Sequence, residues 1–158
     1  MMRRIFLALN LPSDIKEELL QYKEKWSDLP ARWTLPDNLH ITLLFLGNTS
    51  EQELQEIQSK VKDIVAKHKQ FSLSLEQIVY GPTEAKPRML WAIGETTESL
   101  RNLKEDIAKA LDQQQEHSFS LHITLARLRE WEFQRVDPEE RPHIKEDISV
   151  TIPISSVD

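Results

Sequence analysis

The chain has 158 residues, 39% of them hydrophobic and 29% charged. That is enough apolar material for one domain, or for two small lobes sharing a core, and too much for a disordered chain. The absence of cysteine excludes disulfides, thiol catalysis and cysteine metal sites. The formal net charge of −6 argues against a protein that coats long nucleic acid through its phosphates, while leaving room for a pocket that takes one phosphate or one RNA end.

The opening MMRRIFLALNLP superficially resembles a signal peptide. Asn10 and Pro12 break its apolar run and no small-residue cleavage site follows, so Ile5–Leu11 reads as a buried strand. No stretch is long enough to span a membrane, and the lack of cysteine agrees with a reducing cytoplasm, the expected location. Ser13 reads as a helix N-cap, with Asp14 in the first turn and Ile15, Leu19, Tyr22, Trp26 and Leu29 at helical spacing up to Pro30.

Leu39–Leu46 reads as a strand closed by Gly47-Asn48. Ser50 and Glu53 form a capping box for a helix whose apolar face carries Leu54, Ile57, Val61, Ile64 and Val65. Phe71–Val79 alternates as a strand, GPTEAKP is a loop and Met89–Ile93 is another strand. A helix from about Thr97 shows the stripe Leu100, Leu103, Ile107 and Leu111. Phe119–Leu128 reads as a strand, the charged, aperiodic Arg129–Asp147 as a loop, and Ile148–Ile154 as a last strand.

The chain aligns with itself. RIFLAL at Arg4–Leu9 matches RMLWAI at Arg88–Ile93 with an offset of 84. LHITL at Leu39–Leu43 recurs at Leu121–Leu125 with an offset of 82, and FSLSL has a counterpart in ISVTI. The expected architecture is α+β: a single domain over 1–158 built as a duplicated strand–helix–strand–strand unit. Its halves, about 1–80 and 85–158, would form two lobes related by a pseudo-two-fold axis, with antiparallel sheets lining a central cleft. A helix of the first copy is replaced by a loop in the second.

Side chains alternate across a strand, so His40, Thr42 and Leu44 share one face and Leu39, Ile41, Leu43 and Phe45 the other. His122, Thr124 and Ala126 share a face in the same way. Each polar face then holds an imidazole and a hydroxyl about 7 Å apart. Burying them unpartnered would cost roughly 1–3 kcal/mol per group, which a wet cleft between the halves avoids. One isolated histidine is most simply a core residue bonded to a backbone carbonyl; the repetition favours a shared site. Two imidazoles can serve as base and acid around an anion that two threonine hydroxyls hold, the requirements of metal-free phosphoryl transfer. A zinc site would need three or four ligands, and no carboxylate recurs beside the motif.

The doubled HITL, with RRIFLALNLP, ARWTLPDNLHITLLFLG, PRMLWAI and SFSLHITLAR, resembles the two-histidine phosphoesterases, in particular the LigT-like RNA 2',3'-cyclic phosphodiesterases, also named 2'-5' RNA ligases. The resemblance covers nearly the whole chain. It implies a bilobal fold without cofactor or metal, catalysis by His40 and His122, and phosphate binding by Thr42 and Thr124. It also implies opening of a 2',3'-cyclic phosphate at an RNA end, or of a small cyclic nucleotide, to a 2'-phosphate. Joining of RNA ends through a 2'-5' linkage in the same site, and binding of a nucleotide or phosphorylated RNA without turnover, are the alternatives. Arg127 matches the arginine that closes the family's second motif and is expected to help hold phosphate, although strict alternation puts it on the face opposite His122. Trp33 and Tyr80 are candidates for base stacking or for the core, and His68, His117 and His143 read as solvated. The family continues past the strand resembling ISVTIPISSV, so its last element is expected to be missing here. The oligomeric state is left open.

Overall fold

The structure, a computed structural model, describes residues 2–113 and 119–154. Its elements run β1 (Arg3–Asn10), α1 (Ser13–Leu20), α2 (Tyr22–Lys25), β2 (Ala31–Trp33), a 3-10 turn at Pro36–Asn38, β3 (His40–Thr49), α3 (Glu51–Ala66) and β4 (Phe71–Pro82). They continue with β5 (Pro87–Gly94), α4 (Glu98–Ala110), β6 (His122–Leu128), α5 (Glu130–Arg135) and β7 (Lys145–Ile154). The expected α+β class with antiparallel sheets is what forms. β1 and β3 make a two-stranded sheet, and the order β2-β6-β5-β4-β7 makes a five-stranded one. The five-stranded sheet takes β2 and β4 from the first sequence repeat and β5, β6 and β7 from the second, so the repeats interleave. No helix among the described residues is long and apolar enough to cross a membrane.

Alternation along the strands supplies the core. Leu9, Ile41, Leu73, Leu75, Ile78, Leu90, Leu121 and Ile123 are buried side chains of strands or of the residues leading into them. Leu19 of α1 and Leu100, Leu103 and Ile107 of α4 close over them. Thr97 caps α4, its Oγ1 accepting the Leu100 N–H at 3.3 Å. α3 packs on α4 but buries only Val61 fully; Leu54, Ile57, Ile64 and Val65 are half-buried.

Several local expectations are corrected. Pro12, not Ser13, holds the N-cap of α1, and Ser13 is its first helical residue. The apolar pattern from Ile15 to Leu29 is split into α1 and α2 at Gln21, although Ile15, Leu19, Trp26 and Leu29 are all buried as that pattern requires. Ala31–Trp33 is an edge strand paired to β6, too short to show a period. The segment expected to be one loop contains α5 and the first residues of β7, with Phe133 buried under Tyr80. Tyr80 donates to the Pro142 carbonyl at 2.8 Å, and burial pushes its phenol up to about 12, so it serves the core. Trp33 also packs against the core.

His68 is not solvated: its Nε2 meets Asp106 Oδ2 at 2.7 Å and ties α3 to α4. His143 is exposed, as expected, and His117 lies outside the described residues. The cap of α3 is formed by Ser50, whose Oγ accepts the Glu53 N–H at 3.2 Å and donates to Glu53 Oε1 at 2.9 Å. Ser50→Ala removes both bonds and should lower unfolding free energy by about 1 kcal/mol, read as a lower urea midpoint at unchanged slope.

Candidate active site

The two motif strands sit in corresponding places. His40 opens β3 against β1, and His122 opens β6 against β5. β3 and β6 also touch one another, so the motif strands meet where the two sheets meet. Leu9 pairs with Ile41, and Ala92 pairs with Ile123. This register relates the first strands of the repeats by 83 residues, one fewer than the sequence alignment suggests.

Both imidazoles are anchored alike. His40 Nδ1 meets the Asn38 carbonyl at 2.6 Å, and His122 Nδ1 meets the Ser120 carbonyl at 3.0 Å. A carbonyl only accepts, so each Nδ1 carries the hydrogen, and each neutral ring has a bare Nε2. The backbone bond expected of a core histidine is therefore present, but both rings are only half-buried. Leu121 is fixed in turn: its N–H donates to Thr96 Oγ1 at 2.9 Å, and its carbonyl accepts from the Gly94 N–H at 3.4 Å.

The two sites then diverge. His40 Nε2 lies 2.9 Å from Thr42 Oγ1 and its ring stacks on Phe6 at 4.9 Å. His122 stacks on Trp91 at 4.1 Å, and Thr124 Oγ1 points to Met89 Sδ at 4.0 Å. Trp91 lies flat over Gly81 of β4, where any Cβ would collide with the indole. Its indole N–H is buried without a hydrogen-bond partner among the described residues, so shape and not bonding holds the ring. Burial pushes the His122 imidazole below its ordinary pKa of 6.5, outweighing the Ser120 carbonyl, which favours the charged form.

Strict alternation fails just past each motif, and in the same way. In β3, Ala8 pairs with Thr42 and Leu7 with Leu44, leaving Leu43 as an extra residue. In β6, Trp91 pairs with Thr124 and Leu90 with Ala126, leaving Leu125 extra. An inserted residue returns the following odd position to the original face. Phe45 therefore joins the face of His40 and Thr42: it is 74% exposed, with its ring 5.9 Å from that of Phe6. Arg127 joins the face of His122 and Thr124, correcting the expectation for both residues. Thr34 secures the second bulge, its N–H donating to the Leu125 carbonyl at 2.8 Å and its hydroxyl to the Thr124 carbonyl at 3.0 Å. Phe6, Phe45, Trp91 and Thr34 were missed as site residues; an exposed aromatic in a strand paired to a motif strand was the available signal for the first. Among the described residues no three His, Asp or Glu side chains gather in a metal-holding group.

A family model described as LigT like phosphoesterase matches residues 9–91 and 93–154. A Thermotoga maritima protein named RNA 2',3'-cyclic phosphodiesterase is 29% identical over 134 residues, covering 80% of this chain and 70% of that one. A Thermus thermophilus protein of the same name is 30% identical over 139 residues, covering 78% and 68%. Among solved structures, TT0787 of Thermus thermophilus superimposes with a TM-score of 0.80 at 25% identity, over 98% of this chain and 86% of that one. Escherichia coli LigT complexed with 3'-AMP shares the fold, with a TM-score of 0.75 at 22% identity, over 99% and 86%.

The His122 environment has a measurable consequence. An NMR titration of its ring should give a pKa below 6.5, and Trp91→Leu should raise it towards that value. The unfolded chain takes up this proton first on acidification, so His122 lowers stability as pH falls from about 6.5 through the native pKa; urea midpoints at pH 7 and pH 5 check the sign.

Proposed function

The chain belongs to the LigT-like phosphoesterases, and from that membership and the site geometry we propose that it hydrolyses RNA 2',3'-cyclic phosphate ends to 2'-phosphates. The observation that carries this reading is the matched anchoring of two imidazoles on two touching strands, each with a threonine two residues on.

The phosphate lies between the two histidines, its free oxygens taking hydrogen bonds from Thr42 and Thr124. His122, held neutral by burial, takes a proton from water at its bare Nε2 as the oxygen bonds to phosphorus. The bond from phosphorus to O3' breaks, and His40, as the imidazolium, gives its Nε2 proton to O3'. The products are a 2'-phosphate and a 3'-hydroxyl, with one proton moved from one ring to the other. The His40–Thr42 contact, 2.9 Å from Nε2 to Oγ1, suits this role: when the threonine turns its hydrogen to a phosphate oxygen, Nε2 is left to carry the proton for O3'. The step needs no metal or organic cofactor.

Phe6 and Phe45 offer the terminal base an aromatic surface beside His40, since single-stranded RNA is commonly held by stacking. Arg127 adds positive charge on the opposite wall. We take the protein to work as one domain of two lobes in the cytoplasm, a location that its cysteine-free sequence suits.

Turnover of a 2',3'-cyclic-phosphate oligonucleotide in EDTA should yield the 2'-phosphate. His40→Ala and His122→Ala should each lower kcat by about 10²–10⁴-fold. Wild-type rates in both variants would overturn the assignment.

A further inference from the structure

We propose that Arg32 and Arg127 together bind the phosphodiester that precedes the terminal nucleotide, so that the site selects oligonucleotide ends over cyclic mononucleotides. The identity of the ligand rests on the hydrolase reading above; the anion site itself rests on the register.

β2 pairs with β6 so that Arg32 faces Arg127 directly, and directly opposed residues share a face of the sheet. The bulge at Leu125 puts that face on the side of His122 and Thr124. Both arginines are exposed, and neither has a carboxylate within 4 Å among the described residues. Two like charges directly opposed across antiparallel strands destabilise the pair. In a chain with 26 acidic and 20 basic residues, an arginine pair without a counter-charge goes against the average. An anion between the two guanidinium groups turns that repulsion into a two-armed clamp, and guanidinium is the side-chain group whose fork fits phosphate oxygens.

The position along the strand separates this anion from the reacting one. Thr124 serves the cyclic phosphate; with Leu125 bulged out, Arg127 is the next residue on that face, opposite Met89 as Thr124 is opposite Trp91, about 7 Å further along the sheet. Met89 of β5 pairs with Arg127, and its sulfur lies 4.0 Å from Thr124 Oγ1, so one side chain borders both positions. A cyclic mononucleotide has no second phosphate to offer there, whereas an RNA end has one at every step of its backbone.

The test uses the full chain, with Arg32→Gln and Arg32→Lys beside the wild type. Two readouts are taken. The first is kcat/KM on a trinucleotide and on a mononucleotide, each ending in a 2',3'-cyclic phosphate. The second is affinity for a trinucleotide 2'-phosphate between 50 and 200 mM KCl. The wild type should favour the trinucleotide, and Arg32→Gln should cut that preference about tenfold. The slope of log affinity against log salt should become shallower by about 0.7 in Arg32→Gln, and Arg32→Lys should restore the slope with only part of the affinity. Equal preference, affinity and slope in the wild type and Arg32→Gln would overturn the proposal. A wild type without turnover would sink the hydrolase reading, and the binding slopes would still decide whether the two arginines hold an anion.

Discussion

Everything at the site depends on one short bond made twice, from an imidazole Nδ1–H to the carbonyl two residues earlier in the chain. It selects the tautomer, turns the reactive nitrogen away from the backbone and restrains the ring without a carboxylate. A carboxylate partner would stabilise the imidazolium and raise both rings together. A carbonyl leaves the protonation of each ring to its surroundings, and those surroundings differ. Trp91 covers one ring, while the other faces a threonine hydroxyl. The repeated motif thus yields two rings in unlike surroundings, and burial pushes one of them, His122, below its ordinary pKa.

The matching bulges at Leu43 and Leu125 are the second constraint. Each reverses the alternation once, at the last residue of the HITL segment, and each brings one more side chain onto the face of its histidine. The side chains delivered are opposite in kind: Phe45 beside Phe6 on one wall, Arg127 beside Arg32 on the other. One backbone device, present at matching places in two strands, therefore puts an aromatic pair beside one motif and an arginine pair beside the other. A nucleotide end, a flat base on a charged backbone, is asymmetric in the same sense.

Sequence reading recovers what periodicity and repetition encode. The two long helices, the Ser50 cap of the first and the start of the second near Thr97 were legible because each depends on local spacing. Arg127 and Phe45 were assigned to the wrong face because a bulge depends on the partner strand and leaves no mark in a hydrophobic run. β2 was missed because three residues show no period, and its pairing is secured by Thr34, whose partners lie some 90 positions away. The Ser13 cap failed because Pro12 already supplies the extended backbone that precedes a helix. His68 found Asp106 on another helix, a contact that no local pattern announces.

The interleaving of the repeats also bears on how the chain is made. β4 lies between β5 and β7, and β2 waits for β6, so residues 1–80 hold two strands whose neighbours are made later. Phe71–Pro82 in particular, with Leu73, Leu75 and Ile78 bound for the interior, can pair with β5 soon after it is made but keeps its other hydrogen-bonding edge free until β7 has been translated. Such a segment folds late and is open to pairing with other nascent chains in the meantime.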